Sequence, residues 1–306
     1  MTTSVVAPAR ARTAVPEPDV DAAPEQHAPA AQEVRRPAAR RVALLLRRPT
    51  FVLSAVVLAV WVFGALTWPL FGLDPFGRAG ANLAPPSLAH LFGTDYLGRD
   101  VFARVVAGAG SALLVGPIGA VLATVLGSAV GLLCGYYRGP VDAAFMRLFD
   151  VLVVLPPLIV IVVLVGAFGV GTPALILIVA LVFAPGIARI IRAATLAELG
   201  KSYVISARLQ GESGPAIIVR EILPNVFPTV LIQATLSLAA AIFMTASLSF
   251  LGLGSQPPSP DWGLSISDNR IYIQSAWWTV VFPALAVASV ITATHLLADN
   301  IKEVSA

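Results

Sequence analysis

The chain has 306 residues, of which 57% are hydrophobic and only 12% are charged, and its formal net charge is +3. Soluble domains usually carry about twice that charged fraction, so the composition excludes an ordinary soluble protein and indicates a membrane domain without a nucleic-acid partner. Cys134 is the only cysteine in the sequence, which excludes an intrachain disulfide and a cysteine-based metal cluster.

Residues 1–45 differ from the rest of the chain, because they are rich in Ala, Pro, Arg and Glu and offer little that could form a core. This composition is typical of a disordered tail. A secretory signal needs an apolar core within roughly its first 30 residues, and none occurs before Thr50. We therefore expect a disordered tail followed by a first hydrophobic segment that is retained.

Six stretches of the sequence are suited to crossing a bilayer, which takes roughly 20 apolar residues at about 1.5 Å of helical rise each. The uncharged run 151–188 would form a helix of about 57 Å, nearly twice the bilayer, so we expect it to fold back at Gly169, Gly171 and Pro173. The predicted spans are 50–73, 105–137, 149–168, 173–192, one within 222–260 and one within 271–298.

These spans predict an all-α integral membrane protein with six transmembrane helices. Its predicted parts are a tail at 1–45, the first helix at 46–75, an extracytoplasmic segment at 76–104, a core of five helices at 105–300 and a short tail at 301–306.

The distribution of basic residues predicts the orientation, because cytoplasmic loops carry an excess of Lys and Arg. An even number of spans places both termini on one side, and we expect that side to be cytoplasmic. In this orientation, fourteen basic residues lie on the cytoplasmic side, and four lie outside. The fourteen are Arg35, Arg36, Arg40, Arg41, Arg47, Arg48, Arg138, Arg147, Arg189, Arg192, Lys201, Arg208, Arg220 and Lys302, and the four are Arg78, Arg99, Arg104 and Arg270.

The longest inner loop, about 193–224, resembles the EAA loop of binding-protein-dependent ABC import permeases. In that family a Glu-Ala-Ala triplet precedes a Gly by four residues and the loop ends in Leu-Pro. Ala207, Gly211, Leu223 and Pro224 match, whereas Ile205 and Ser206 stand where Glu and Ala are usual. Any role that this Glu has in the family would therefore be absent from this chain or supplied by a partner.

Such a loop can act mechanically, because a Gly tolerates the backbone angles that join two short helices into a compact knob. The resemblance implies that the knob, called the coupling helix in the family, sits in a groove of an ATPase subunit. An ordinary amphipathic cytoplasmic loop is the alternative. The residues expected to couple to the ATPase are Ala207, Arg208, Gly211, Glu212, Leu223 and Pro224.

Two further segments resemble the dipeptide, oligopeptide and nickel subgroup, and specifically its C-type subunit. The first is 92–116, which begins Phe-Gly-Thr-Asp-Tyr-Leu-Gly-Arg-Asp, and the second is 248–264, with Leu-Ser-Phe-Leu-Gly-Leu-Gly followed by Gln-Pro-Pro and Asp-Trp-Gly-Leu. Read from their residues alone, both are outer loops with Gly and Pro turns and an interfacial Trp.

The resemblance implies a type I ABC importer permease in the cell membrane. Its expected partners are a B-type permease, two cytoplasmic ATPase subunits or one fused ATPase, and an external substrate-binding protein. ATP and Mg are expected on the ATPases, with no cofactor or metal in this chain. The implied solute is a di- or oligopeptide, although nickel complexes and other small solutes stay open.

Polar residues in the fifth span are candidates for the pathway, because polar groups that avoid lipid must face protein or water. Helix-packing contacts explain them equally well. The same holds for Arg147 and Asp150, which could snorkel to the interface. The candidate pathway residues are Asn225, Gln233, Thr245 and Ser247.

Two other function classes fit the sequence less well. A stand-alone secondary transporter or channel would favour ionisable residues in mid-membrane, and the spans have almost none. An intramembrane hydrolase is not supported, since Ser111 and Ser255 do not match G-x-S-x-G. Gly200-Lys201-Ser202 is not a phosphate-binding loop, because position 195 is Thr rather than Gly.

Overall fold

The computed structural model describes residues 48–305, and this part of the chain is built from helices without a β-strand. The predicted tail at 1–45 lies outside the described residues. The helices are α1 Pro49–Thr67, α2 Val101–Tyr137, α3 Pro140–Val154, α4 Pro157–Phe168, α5 Thr172–Glu198, α6 Ser202–Leu209, α7 Gly214–Ile217, α8 Leu223–Phe250, α9 Trp262–Asn269 and α10 Trp278–Ser305.

Five helical runs within the described residues are long and apolar enough to cross a membrane. The bent pair α3 and α4 makes a sixth if it counts as one span. The chain is therefore a multi-pass membrane protein. The five runs are Pro49–Phe71, Val101–Tyr137, Thr172–Glu198, Gly214–Phe250, in which one π-helical turn joins α7 to α8, and Trp278–Asn300.

The third predicted span, 149–168, covers the last residues of α3 and all of α4. The chain breaks at Leu155 and Pro156, and α3 and α4 meet at 107°. Leu155 has extended backbone angles (φ −68°, ψ 139°), because a residue before proline is disfavoured in the α region. The 12 residues of α4 rise only about 18 Å, so α4 alone is too short to cross a hydrocarbon core of about 30 Å.

The centre of the fold is the pair α2 and α5, whose backbones touch along a stripe of small residues. Gly119, Gly127, Gly131 and Gly135 lie on one face of α2, and a Cβ atom added to Gly131 would stand 2.6 Å from the Ala188 carbonyl oxygen. Small residues four apart let transmembrane helices approach this closely. The two helices therefore form one closely packed unit around which the others are arranged.

The first and last helices run side by side, so both described chain ends lie at one end of the molecule. The Asn300 side-chain amide donates to the Thr50 hydroxyl at 3.1 Å, and Trp61 Nε1 donates to the Ser289 hydroxyl at 2.9 Å. Arg48 pairs with Glu303. Helix α10 continues through 301–305, where the sequence suggested a short tail.

The opposite end is covered by residues 74–104 and 252–278, here called the cap. Asp95 orders the first of these segments, because its carboxylate accepts from the backbone N–H groups of Leu97 and Arg99 and from Arg99 Nε, at 2.6–2.9 Å. Arg104 then joins the two segments, donating to the carbonyl oxygens of Pro75 and Ser259 at 3.0 Å each.

Two tryptophans complete the contacts of the cap. Trp262 Nε1 donates to the Val105 carbonyl at 2.7 Å, and Trp278 Nε1 donates to the Thr94 carbonyl at 3.2 Å. The sequence segments 92–116 and 248–264, which are more than 130 residues apart by their numbering, are therefore two halves of one structure.

Candidate coupling loop and pathway face

The loop 199–224 lies at the same end of the molecule as the described chain ends, because α2 begins in the cap and ends beside this loop. It contains the short helix α6 and the four residues of α7, which continue through the π-helical turn into α8. Gly211 ends α6 with a positive φ of 79°. Its N–H donates to the Arg208 carbonyl at 3.0 Å, and the Glu212 N–H donates to the Ala207 carbonyl at 3.1 Å.

This pair of hydrogen bonds is a Schellman motif, in which the residue after the C-cap takes the left-handed conformation that Gly adopts most readily. The positive φ explains why a Gly stands at position 211. It also turns the chain sharply from α6 into α7, so that the two helices form a compact knob.

One side of the knob faces the interior of the chain. Ala207 is only 6% exposed, and it packs with Val204 of α6 and with Ile217, Ile218 and Ile222 of the following turn. A small residue is needed at this position because α6 lies directly on those side chains. Ala207 therefore supports the knob from within rather than forming its outer surface.

The other side of the knob is exposed and apolar. Leu209 is 84% exposed and Ile205 is 46% exposed, and both lie in a loop flanked by charged residues. The sequence reasoning did not single out Leu209, and it treated Ile205 as a missing acid. Their spacing could have identified them as one apolar surface, since residues four apart lie on one face of a helix.

The knob is attached to its neighbours by side chains at both ends. The Arg208 guanidinium lies over the Tyr136 ring, 5.1 Å from its centroid. The Glu198 carboxylate, at the end of α5, accepts hydrogen bonds from the Tyr203 hydroxyl and from Lys201 Nζ, the latter at 2.8 Å. Burial and the hydrogen bond to Glu198 raise the pKa of the Tyr203 hydroxyl, so this hydroxyl stays a donor at neutral pH.

The remaining predicted coupling residues lie at the exit of the knob. Leu223 is half-buried and Pro224 is exposed, and both follow directly on the π-helical turn Ile218–Ile222. Oε2 of Glu212 is buried and has no hydrogen-bond partner among the described residues.

The candidate pathway residues divide between two faces of α8. Gln233 and Ser247, both half-buried, lie on a face of α8 that is partly open in this chain, whereas Thr245 is buried on the opposite face and donates to the Ala241 carbonyl at 2.9 Å. Asn225 is exposed at the start of the helix, where its amide donates to the Glu221 carbonyl at 2.6 Å. Among the four, Thr245 has the surroundings of a helix-packing residue.

The open face of α8 borders a cavity of about 610 Å³. Its walls are almost entirely apolar, and the Ser247 hydroxyl is turned back to the Phe243 carbonyl at 2.9 Å. None of the described residues that line the cavity is charged. Lining residues come from α4 (Pro157, Leu158), α8 (Phe243, Ser247), α9 (Ile266) and α10 (Val287).

Residues 127–303 match the family described as the binding-protein-dependent transport system inner membrane component. This range includes the knob, the pathway face and the bent pair α3 and α4. The chain belongs to that family. As an inner membrane component, it is one part of a transport system.

Relatives extend the similarity beyond the range of the family match. The inner membrane component is 32% identical over 254 residues to the dipeptide transport system permease protein DppC of Alkalihalophilus pseudofirmus, covering 82% of this chain and 84% of the relative. It is 37% identical over 227 residues to the di/tripeptide transport system permease protein DppC of Pseudomonas aeruginosa, covering 72% and 75%. It is 36% identical over 253 residues to the glutathione transport system permease protein GsiD of Escherichia coli, covering 83% and 82%.

Proposed function

We propose that this chain is the C-type permease subunit of an ABC importer for di- or oligopeptides. The observation that carries the proposal is the knob, with an apolar surface at Ile205 and Leu209 held out by the Schellman turn at Gly211. The names of the similar permeases, which refer to dipeptides, di/tripeptides and glutathione, support a short peptide as the solute.

The orientation that fits this function has both termini and the knob in the cytoplasm and the cap outside. The excess of Lys and Arg near the knob and the chain ends supports this orientation. Six spans result when α3 and α4 together count as one crossing. The cap would then receive an external binding protein, and the open face of α8, with Gln233 and Ser247, would face a B-type permease across the pathway.

The knob would dock into a cytoplasmic ATPase that binds ATP and Mg, with two such subunits or one fused ATPase per importer. Its exposed residues indicate that the docking is mainly apolar, because Ile205 replaces the acid that is usual at this position. Ala207, Gly211 and Leu223 shape the knob, and Arg208, Glu212 and Pro224 lie around it.

Co-purification tests this assignment. We expect the tagged chain, extracted in mild detergent, to bring down a second permease and the ATPase, and to catalyse ATP-dependent uptake of radiolabelled dialanine in proteoliposomes with its binding protein. Leu209→Glu should lower the recovered ATPase about tenfold, equivalent to roughly 1.4 kcal/mol of binding. Leu88→Glu is the control, because Leu88 is fully exposed in the cap.

A chain that purifies alone and transports dialanine without ATP would contradict the proposal and favour a secondary transporter. Equal recovery of the ATPase with Leu209→Glu and with Leu88→Glu would remove the knob from the docking surface.

A further inference from the structure

Helix α3 lies between two breaks in the backbone. At its start, Arg138 (φ 53°) and Gly139 (φ 87°) both have positive φ, and a non-glycine residue rarely adopts this conformation. At its end, Leu155 and Pro156 turn the chain by 107° into α4. Residues at the ends of elements absorb the angle changes of hinge motions, so α3 has the construction of an arm between two hinges.

This arm makes few contacts with the rest of the chain. Of its fifteen residues only Asp142 and Phe149 are buried. Segments with few buried apolar contacts are those that move at low cost in free energy. The arm is therefore held in place mainly by its polar contacts.

Two ion pairs join the arm to α5, and they differ in strength. Arg192 holds Asp142 in a two-bond arrangement, with Nε and Nη2 donating at 2.6 and 2.7 Å, and Asp142 is only 7% exposed. Arg189 and Asp150 are 3.6 Å apart and both are exposed. Paired hydrogen bonds between Arg and a buried carboxylate are strong and directional, whereas exposed pairs contribute little.

Arg192 stands where α5 packs closely against α2. The backbone of Arg192 lies against the α2 stripe, since a Cβ atom at Gly131 would be 3.0 Å from its nitrogen and one at Gly135 would be 3.2 Å from its oxygen. Its side chain reaches to the other side and holds the arm. Six residues further along α5, Glu198 binds Tyr203 and Lys201 of the loop that carries the knob.

We propose that Asp142 and Arg192 are positioning residues, forming a latch that makes α3 follow α5 when the knob moves. This inference rests on the proposed function. The path of contacts runs from the knob through Glu198 to α5, and from Arg192 through Asp142 to α3.

The arm in turn reaches the cavity wall. Helix α4 follows the elbow at Pro156, and its first residues, Pro157 and Leu158, line the 610 Å³ cavity. When the ion pair between Asp142 and Arg192 is intact, movement of the knob is transmitted through α5 and α3 to α4, which forms this wall of the cavity. With the latch open, α3 pivots at its two hinges, and ATP hydrolysis proceeds without moving α4.

The test is a distance measurement in the complete transporter, in nanodiscs. Spin labels are placed at Val151 of α3 and Val125 of α2, both exposed, with the buried Cys134 replaced by Ala. ATP with vanadate should shift the distance distribution in the otherwise unaltered protein. Asp142→Asn should remove most of that shift, because α3 is no longer held to α5, while ATP hydrolysis continues.

Two further variants separate a latch from a structural role. The charge reversal Asp142→Arg with Arg192→Asp should restore most of the shift, because it rebuilds the pair with the opposite polarity. Asp150→Asn is the matched control, because it removes the exposed ion pair between the same two helices. The distance distribution in this variant should shift as it does in the unaltered protein.

The outcomes distinguish this inference from the proposed function. Failure to assemble with an ATPase would overturn both. A complex that hydrolyses ATP but shows no shift in the unaltered protein, an unreduced shift in Asp142→Asn, or no recovery in the charge reversal would overturn the latch alone.

Discussion

The cap and the α3 arm, at opposite ends of the molecule, are held in different ways. In the cap, Arg104, Trp262 and Trp278 make hydrogen bonds between residues more than 25 apart in sequence, and these side chains are buried. The arm is held to α5 by one buried ion pair and one exposed pair. Removing one contact should therefore destabilise the cap, whereas at the other end it should change movement more than stability.

The largest loss of stability should follow from Gly108→Val in the cap end of α2. A Cβ atom there would lie 2.4 Å from the Pro260 carbonyl oxygen and 2.7 Å from the Trp262 ring. We expect about 3 kcal/mol of destabilisation, at the upper end for overpacking, measured by thermal unfolding of the purified protein. Gly110→Val is the matched control, since Gly110 has no heavy atom within 4 Å of an added Cβ. Equal losses in both variants would contradict a tightly interlocked cap.

A similar but smaller loss should follow from Arg104→Met. The change leaves the carbonyl oxygens of Pro75 and Ser259 without their donor, and loss of one buried polar partner typically costs about 1–3 kcal/mol. Arg270→Met is the control, because Arg270 is exposed and its hydrogen bonds within the described residues are to nearby Ser267. The free energy of unfolding in denaturant, compared between the two variants, decides whether Arg104 joins the halves of the cap.

At the other end, Gly211→Val should cost little stability but abolish uptake. With φ at 79°, a side chain adds local strain of about 1–2 kcal/mol, which distorts the Schellman turn while the membrane helices stay inserted. Uptake, ATPase binding and ATP turnover are to be measured in proteoliposomes. Gly200→Val is the control, as Gly200 has open space and no positive φ. Unchanged values of all three in Gly211→Val would refute the loop as the coupling element.

The smallest effect is expected from three single cysteines that test which end is outside. Ser87, Ser213 and Ser267 are polar positions outside the candidate spans or just before one, so each change should alter stability by no more than about 0.5 kcal/mol. Cysteines at 87 and 267 should react with an impermeant maleimide on intact cells, and one at 213 should not. Labelling at 213 without permeabilisation would reverse the orientation.

Helix positions were predictable because each span is a long apolar run, and the knob was expected because Ala207, Gly211 and Leu223-Pro224 resemble the loop of a known family. The break at Leu155 could have been found from the two prolines that follow it. The positive φ of Arg138 could not, because a residue other than glycine or asparagine rarely adopts that conformation and no local pattern signals it.

The contacts of the cap were also beyond the reach of the sequence. Asp95, Arg104 and Trp262 stood in segments that resembled a family pattern, but the spacing of residues within one segment does not tell which distant segment it meets. Likewise, the periodicity of α6 places Ala207 and Ile205 on different faces, and only the position of the following turn decides that Ala207 faces inward.

The pairing of α1 with α10 has a consequence for biogenesis. The side-chain hydrogen bonds of Trp61 and Thr50 reach partners 228 and 250 residues later in the chain. During synthesis, α1 therefore cannot make these contacts until α10 has left the ribosome. A truncation that removes α10 would leave α1 as a loosely attached segment, exposed to the proteases that survey unassembled membrane proteins.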